Sequence, residues 1–296
     1  MGKPPHTLGD KNMLISLLLA SQLWLMSDRG SFWDAEKISD QTKLETDSNR
    51  KNPSLASEEI KGKNVLLLIH GYNNDEKEAL STYRLIHAHV SAFMDMQRSQ
   101  FYDLVIGYLW PGYDDSWEYF DAKQNTSELS KIMRSHLKTL SASAAKVDVL
   151  AHSMGNRLLL EALNYPSFKK KKVVQNYYAF APAVDNESVE KQEKYYQSTQ
   201  NCEKIFVFYS KRDDVLKWGY TLAEQDKALG YEGAENPDQL PQNVQLINCT
   251  TLVGGHSDYF TVIPIYEFIK NQFLPHSMFK INDLSEERPH TLNLLW

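Results

Sequence analysis

The sequence contains very little cysteine. Only Cys202 and Cys249 occur among its 296 residues, and each lies at an end of a different predicted strand. If those strands are parallel neighbours, the two residues lie too far apart for a disulfide. No Cys-x-x-Cys pair or other cysteine spacing typical of a metal site is present. The composition therefore argues against a disulfide scaffold and a zinc module, and it fits a reducing compartment.

An excess of basic residues is also missing. The chain carries 32 Lys and Arg against 38 Asp and Glu, for a formal net charge of -6. A nucleic-acid-binding protein favours a basic face, so we expect no nucleic-acid partner. The one lysine run, 169–172, precedes a predicted strand on the side away from the predicted site, and we interpret it as solvated.

Long hydrophobic runs are absent as well, and the one strongly apolar stretch near the start is Met13–Met26. It is short for a membrane span, which needs about 20 residues. It has the length of a signal-peptide core, but no small-x-small cleavage site follows. We expect a buried or surface-docked helix; an export signal or membrane anchor and a disordered tail remain open. The prediction is a cytoplasmic protein, with export or membrane contact through residues 13–26 as the alternative.

From residue 62 onward, short apolar runs alternate with amphipathic stretches. Val65–Ile69 is a continuous apolar run, typical of a strand buried on both faces of a parallel sheet. We predict an α/β fold with a mainly parallel sheet of about six core strands and helices on both faces. The predicted units are 1–61, an apolar helix with a polar extension holding one or two edge strands, 62–275, the α/β domain, and 276–296, a tail. Helices are predicted near 75–96, 117–140, 154–165, 186–198, 214–230 and 257–273.

A serine lies at the corner between the third predicted strand and its helix. The strand ends at Ala151, and His152, Ser153, Met154 and Gly155 lead into an apolar helix face. A serine at such a corner, with small residues two before and two after, is the nucleophile-elbow pattern. The small residues Ala151 and Gly155 are needed because the turn is tight and strained. Alanine stands at 151 where glycine is usual. We predict Ser153 as a nucleophile.

A serine nucleophile needs a base, and the base needs an acid to orient it. Sites in open parallel sheets lie at the carboxyl ends of the strands, so only loops leaving that edge are candidates. The loop after the fifth strand carries Asp213 and Asp214, and the loop after the sixth carries His256. The order serine, aspartate, histidine is the one found in hydrolases with a nucleophile elbow. We favour Asp213 as the acid and expect Asp214 to cap the next helix.

The loop after the first core strand is the second part of the predicted site. Acyl transfer requires two N–H groups aimed at the developing oxyanion. We assign them to Met154 and, in the loop 70–74, to Tyr72, with Gly71 allowing close approach of the backbone. We expect His70 and His152 to support these loops through packing.

Three aromatic residues follow the second core strand, namely Trp110, Tyr113 and Trp117. Core packing and lining of a substrate pocket are both open for them. The stretch 184–203 is only about twenty residues long and has room for one helix, so no large cap domain is expected. No metal is predicted, because His87 and His89 lie two residues apart and would point to different faces of a helix.

Five motifs occur in order: IHGYNN at 69–74, LWPG at 109–112, LAHSMGNR at 150–157, YSxxD at 209–213 and GHS at 255–257. Together they resemble the α/β-hydrolase superfamily over residues 62–273, and most closely a bacterial branch of hydrolases of unknown function. The resemblance implies an esterase-like or lipase-like serine hydrolase without cofactor. Its partner would be a small-molecule ester or thioester, by default with a small or medium acyl chain. The alternatives are a non-catalytic binding or scaffold protein, and a peptidase or acyltransferase using the same residues.

Overall fold

The computed structural model describes residues 22–30, 37–46, 55–56, 58–95, 101–112, 118–165, 172–273 and 290–294. Within them, nine strands form one sheet in the order β2-β1-β4-β3-β5-β6-β7-β8-β9. Each neighbouring pair is parallel apart from β1 with β2. The strands are β1 (Gln22–Arg29), β2 (Ile38–Thr46), β3 (Asn64–Ile69), β4 (Leu104–Leu109), β5 (Lys146–His152), β6 (Val174–Phe180), β7 (Cys202–Tyr209), β8 (Val244–Asn248) and β9 (Thr291–Asn293).

The six predicted core strands are β3 to β8, and the predicted α/β class with a mainly parallel sheet is confirmed. Their side chains alternate between two cores, as the two-residue period of a strand requires. In β3, Val65 and Leu67 join one core, and Leu66 and Leu68 join the other. Both faces of the sheet are therefore covered by a hydrophobic core, which explains why the strand sequences are continuous apolar runs.

Long helices cover the two faces. Helices α2 (Tyr119–Ser143) and α3 (Met154–Leu163) pack on one face, and α1 (Glu76–Asp95) and α7 (Ile263–Asn271) pack on the other. Shorter helices are α4 (Tyr196–Thr199), a π-helix (Val215–Tyr220), α5 (Thr221–Glu224) and α6 (Leu229–Glu232), with single 3₁₀ turns at Pro237–Gln239 and Asp258–Phe260. In the described part of the chain, none of the helices has the length and apolar character needed to cross a membrane.

The strand order reverses beside β3. The chain passes from β3 to β4 on one side and then returns to place β5 on the other. Ligands in open parallel sheets bind at such a switch point, beyond the carboxyl ends of the strands. The loops that follow β3 and β5 meet there.

The predicted helix over Met13–Met26 is wrong for residues 22–26, while residues 13–21 lie outside the described part of the chain. Gln22–Arg29 is a strand, parallel to β4, with Trp24 and Met26 buried. Buried Asp28 holds it in place by accepting hydrogen bonds from the Tyr108 hydroxyl (2.7 Å) and from His136 Nε2 (3.1 Å). Short apolar runs fit a buried strand and a buried helix equally well, and only tertiary packing distinguishes them.

The sheet also extends beyond the predicted domain bounds of 62–275. Strands β1 and β2 come from residues assigned to the N-terminal extension, where one or two edge strands were expected, and β2 is indeed an edge strand. Strand β9, from the predicted tail, pairs with β8.

Three predicted helices are interrupted. The stretch 186–198 is mostly turns, with Gln192 at φ 77° and α4 reaching only Tyr196–Thr199. The stretch 214–230 breaks at Gln225, whose φ of 58° ends α5. The stretch 257–273 contains a 3₁₀ turn before α7, whose first turn contains Pro264, a position that suits the fixed φ of proline.

Candidate active site

The Ser153 backbone forms a strained corner between β5 and α3. Its φ and ψ are 52° and -125°, a conformation that costs free energy for a residue with a side chain. Neighbouring strands and loops hold the corner: Ser153 N–H donates to Phe180 O (3.0 Å), and Ala183 N–H donates to Ser153 O (3.2 Å). Asn156 Nδ2 also donates to Ser153 O, at 3.0 Å. The predicted elbow is therefore present.

Two glycines let the elbow and the loop after β3 pack against each other. A Cβ added at Gly155 would lie 2.4 Å from His70 O, and one added at Gly71 would lie 2.8 Å from Ser153 Cβ. Real Cβ atoms essentially never lie within 3.0 Å of another heavy atom, so both positions require glycine. Ala151 is fully buried in β5 between Ile69 and Ala179. Its single methyl group fits this position.

Asp213 is the aspartate that contacts the histidine. Its Oδ2 lies 2.7 Å from His256 Nδ1, its Oδ1 accepts the Leu216 N–H (3.0 Å), and its side chain is fully buried. Asp214 is exposed, and its side chain makes no capping hydrogen bond to the π-helix. The predicted cap is therefore wrong, because the buried Asp213 Oδ1 takes that place. With Nδ1–H donated to Asp213, His256 Nε2 is left as the proton acceptor.

The loops of Asp213 and His256 are joined by a buried serine that sequence reasoning missed. Ser210 Oγ donates to Val253 O at 2.7 Å and accepts the Arg212 N–H at 3.2 Å. Both loops leave neighbouring parallel strands, β7 and β8, at the same edge. A small hydroxyl residue three positions before the acid is the only local signal for this contact.

His152 supports the loop that carries His256. Its Nε2–H donates to His256 O (2.9 Å), and the two rings lie 4.6 Å apart. Burial, with a smaller contribution from the neighbouring His256, lowers the pKa of His152 to about 3, so His152 is neutral at pH 7. The structure places His152 against the backbone of the candidate base.

His70 supports the loop after β3. Its Nδ1–H donates to Gly71 O (2.8 Å), and its Nε2 accepts the Trp110 N–H (3.2 Å). Burial lowers the pKa of His70 to about 3, with a smaller contribution from the Arg29 charge, so this ring is also neutral. Trp110 stacks on His70 and donates its indole N–H to His70 O (2.9 Å).

The same loop is tied to the N-terminal strand by Arg29, which sequence reasoning missed. Arg29 is buried at the end of β1, and its Nη2 donates to Asn74 O (2.6 Å). Asn74 Nδ2 in turn donates to Tyr72 O (2.9 Å), and Asn73, at φ 56°, donates its N–H to Gly112 O (3.2 Å). These contacts orient the peptide groups of the loop. No local pattern connects Arg29 to a carbonyl 45 residues away.

One cavity of about 1150 Å³ brings most of the predicted site residues together. Ser153, His256, Met154 and Tyr72 all line it, and Asp213 lies behind His256. Met154 is the first residue of α3, where the helix leaves backbone N–H groups unused. Ser153 and His256 form no hydrogen bond in the described structure, and such bonds are often long without substrate.

Of the three aromatic residues considered as substrate-lining, Trp110 is described, and Tyr113 and Trp117 lie outside the described residues. Trp110 is fully buried under His70, so, of the two alternatives left open, core packing is confirmed and lining of the pocket is wrong. Its indole N–H needs the His70 carbonyl as a partner, and this holds the ring in the core. Tyr119 and Phe120, at the start of α2, line the cavity instead.

The sequence model of one protein family, described as alpha/beta hydrolase of unknown function (DUF900), matches residues 46–284. The chain belongs to this family. Its match confirms the resemblance drawn from the five motifs and covers β3 to β8, but strand β1 with Arg29 lies outside it. No curated protein sequence matches the chain significantly.

Solved structures similar to this family member include several esterases. Esterase PE8 is 11% identical, with a TM-score of 0.40, and the match covers 75% of this chain and 96% of that chain. Est1E from Butyrivibrio proteoclasticus is 11% identical, with a TM-score of 0.35, covering 72% and 89%. The esterase Pf2001 of Pyrococcus furiosus is 14% identical, with a TM-score of 0.38, covering 71% and 83%.

Proposed function

We propose that this α/β hydrolase cleaves carboxylic esters through an acyl-enzyme formed on Ser153. The observation that carries the proposal is the buried Asp213 carboxylate 2.7 Å from His256 Nδ1, with His256 and Ser153 on one cavity. An aspartate so placed selects the histidine tautomer whose Nε2 accepts a proton. The strained elbow and the two neutral supporting histidines keep these groups in place.

The reaction has two halves. Ser153 Oγ attacks the ester carbonyl carbon while His256 Nε2 takes the hydroxyl proton, and the oxyanion is stabilised by the N–H groups of Met154 and Tyr72. His256 then gives the proton to the departing alkoxide, leaving the acyl group on Ser153. In the second half His256 deprotonates water, which attacks the acyl-enzyme, and Ser153 regains its proton as the acid leaves. A thioester would follow the same steps with a thiolate as leaving group.

Labelling with a fluorophosphonate probe tests this function. We expect wild-type protein to gain one probe adduct on the peptide that contains Ser153, and Ser153→Ala to gain none. Ser257→Ala is the matched control, because Ser257 is an exposed serine that lines the same cavity, and it should be labelled like wild type. Folded wild-type protein that resists the probe would favour the alternative, a binding protein that keeps the hydrolase fold.

A further inference from the structure

Several exposed hydrophobic side chains lie around the candidate active site. Phe120, Val215 and Leu222 line its cavity and are 64%, 56% and 85% exposed, and Trp218, 65% exposed, belongs to the same π-helix as Val215. We name these four residues the apolar rim. Single exposed hydrophobic residues need no explanation, but a group around one cavity marks a binding surface. The other exposed large hydrophobic residues of the described chain are Leu85, Tyr165 and Ile263.

Partly buried charges join the segments that carry the apolar rim. Glu224, at the end of α5, accepts hydrogen bonds from Lys123 Nζ (2.6 Å) and the Tyr119 hydroxyl (2.8 Å) of α2, and lies 3.4 Å from Arg157 Nη2. These contacts join the start of α2 to the π-helix and α5, the segments that carry the rim. A surface fixed before binding loses little conformational entropy when a ligand arrives.

The rim is also connected to the triad. Asp213 Oδ1 accepts the Leu216 N–H in the first turn of the π-helix, while Asp213 Oδ2 contacts His256. The Asp213 carboxylate thus contacts both the candidate base, His256, and the first turn of the helix that carries Val215 and Trp218. A substrate hydrocarbon chain that contacts the apolar rim is therefore held at a fixed position relative to Ser153.

Another part of the cavity lining is polar. It is formed by the loop after β3 and the first turns of α1, through Asn73, Asn74, Glu78, Ser81 and Thr82. Ser153 and His256 line the same cavity. Its volume of about 1150 Å³ lies just above the usual range for ligand sites, which is about 300–1,000 Å³. A small ester would leave most of this space to water and the rim uncovered.

We propose that the substrate is an ester with a long hydrocarbon chain, which lies along the apolar rim while the carbonyl carbon is placed at Ser153. This inference rests on the proposed function and replaces the small or medium acyl group expected by default. The hydrocarbon chain buries the side chains of Phe120, Val215 and Leu222. The polar part of the substrate faces Asn73, Asn74 and Glu78.

The dependence of kcat/KM on chain length tests the proposal. We expect kcat/KM for p-nitrophenyl esters, used below their micelle concentrations, to rise from acetate to dodecanoate by up to about fourfold per buried methylene. A parallel series of alkyl acetates tells whether the chain belongs to the acyl or the alcohol side. The double variant Val215→Thr/Leu222→Asn has nearly the same size and should flatten the slope, whereas Ile263→Thr, at an exposed site away from the cavity, should keep it.

Failure of the rim and failure of the proposed function give different results. Binding of dodecanoate and butyrate to Ser153→Ala, measured by calorimetry, does not depend on turnover. Dodecanoate should bind at least about tenfold more tightly than butyrate, and the rim double variant should remove this preference. Equal affinities, or equal slopes for wild type and rim variant, would overturn the proposed substrate class even if short esters are cleaved. Tight dodecanoate binding without labelling of Ser153 would keep the rim site and reject the hydrolase function.

Discussion

Two aspartates stand side by side after β7, and they have opposite environments. Asp213 is buried against His256, and Asp214 is exposed. A negative charge at Asp213 also stabilises the imidazolium that forms when His256 accepts the Ser153 proton. The pair offers an internal control for the proposed triad.

We expect Asp213→Asn to lower kcat by about four orders of magnitude, because the amide no longer selects the tautomer with a basic Nε2. Asp214→Asn removes the same charge one residue away and should stay within about threefold of wild type, as its side chain contacts no part of the triad. Ester hydrolysis under saturating substrate measures both, with circular dichroism to verify folding. Equal losses in the two variants would contradict the assignment.

Arg29 acts on the loop after β3 from outside the region matched by the family. Without the Arg29 hydrogen bond to Asn74 O, the loop should hold the Tyr72 N–H less firmly at the position from which it would donate to the oxyanion. We expect Arg29→Gln to lower kcat by about tenfold to a hundredfold with little change in KM. Affinity for a trifluoromethyl ketone, which mimics the tetrahedral intermediate, should fall in parallel, and Arg29→Lys should recover part of both. A raised KM with normal kcat would instead indicate a role in substrate binding.

At the scale of elements, the approach of α3 to the end of β3 depends on Gly155. An added methyl group would meet the backbone carbonyl of His70, which cannot rotate away as a side chain can. We expect Gly155→Ala to lower the free energy of unfolding by about 1–3 kcal/mol, the usual cost of overpacking. Gly219→Ala in the π-helix is the matched control, since in the described structure its added Cβ has no heavy atom within 4 Å beyond its chain neighbours and the adjacent backbone of its own helix. It should raise the free energy of unfolding by up to about 1 kcal/mol. Urea denaturation compares the two, and equal effects would refute the packing argument.

At the scale of the whole molecule, two buried neutral histidines make the fold sensitive to acid. Burial lowers the pKa of His70 and of His152 from 6.5 to about 3. Between these values the unfolded chain binds protons that the folded chain does not, so stability falls as the pH falls through this range. At pH 5, each histidine should reduce the free energy of unfolding by about 2 kcal/mol relative to pH 7.

Urea unfolding at pH 7 and pH 5 measures this effect. His152→Asn keeps a polar group at the site but cannot be protonated there. Whatever its stability at pH 7, its loss between pH 7 and pH 5 should be about 2 kcal/mol smaller than that of wild type. The same loss in both proteins would show that the buried ring is not the source of the acid sensitivity.

The sequence alone predicted the six parallel core strands, the elbow, and the loops that carry Ser153, Asp213 and His256. These features depend on local patterns: apolar runs bounded by breakers, and a small-residue turn between a strand and a helix. The fixed chain order of strand ends in a parallel sheet then placed the three residues at one edge.

Other features required the tertiary structure. The apolar run before Arg29 is a strand because the open edge of β4 pairs with it, and neither its length nor its composition distinguishes that outcome from a helix. The sequence favoured Asp213 over Asp214, and the structure shows the reason: Asp213 is buried against His256, whereas Asp214 is exposed. Arg29, Ser210 and Glu224 contact partners that lie 43 to 105 residues away in the sequence. Local periodicity determined which elements form, whereas contacts between distant segments determined how the candidate site is held and which residues line its cavity.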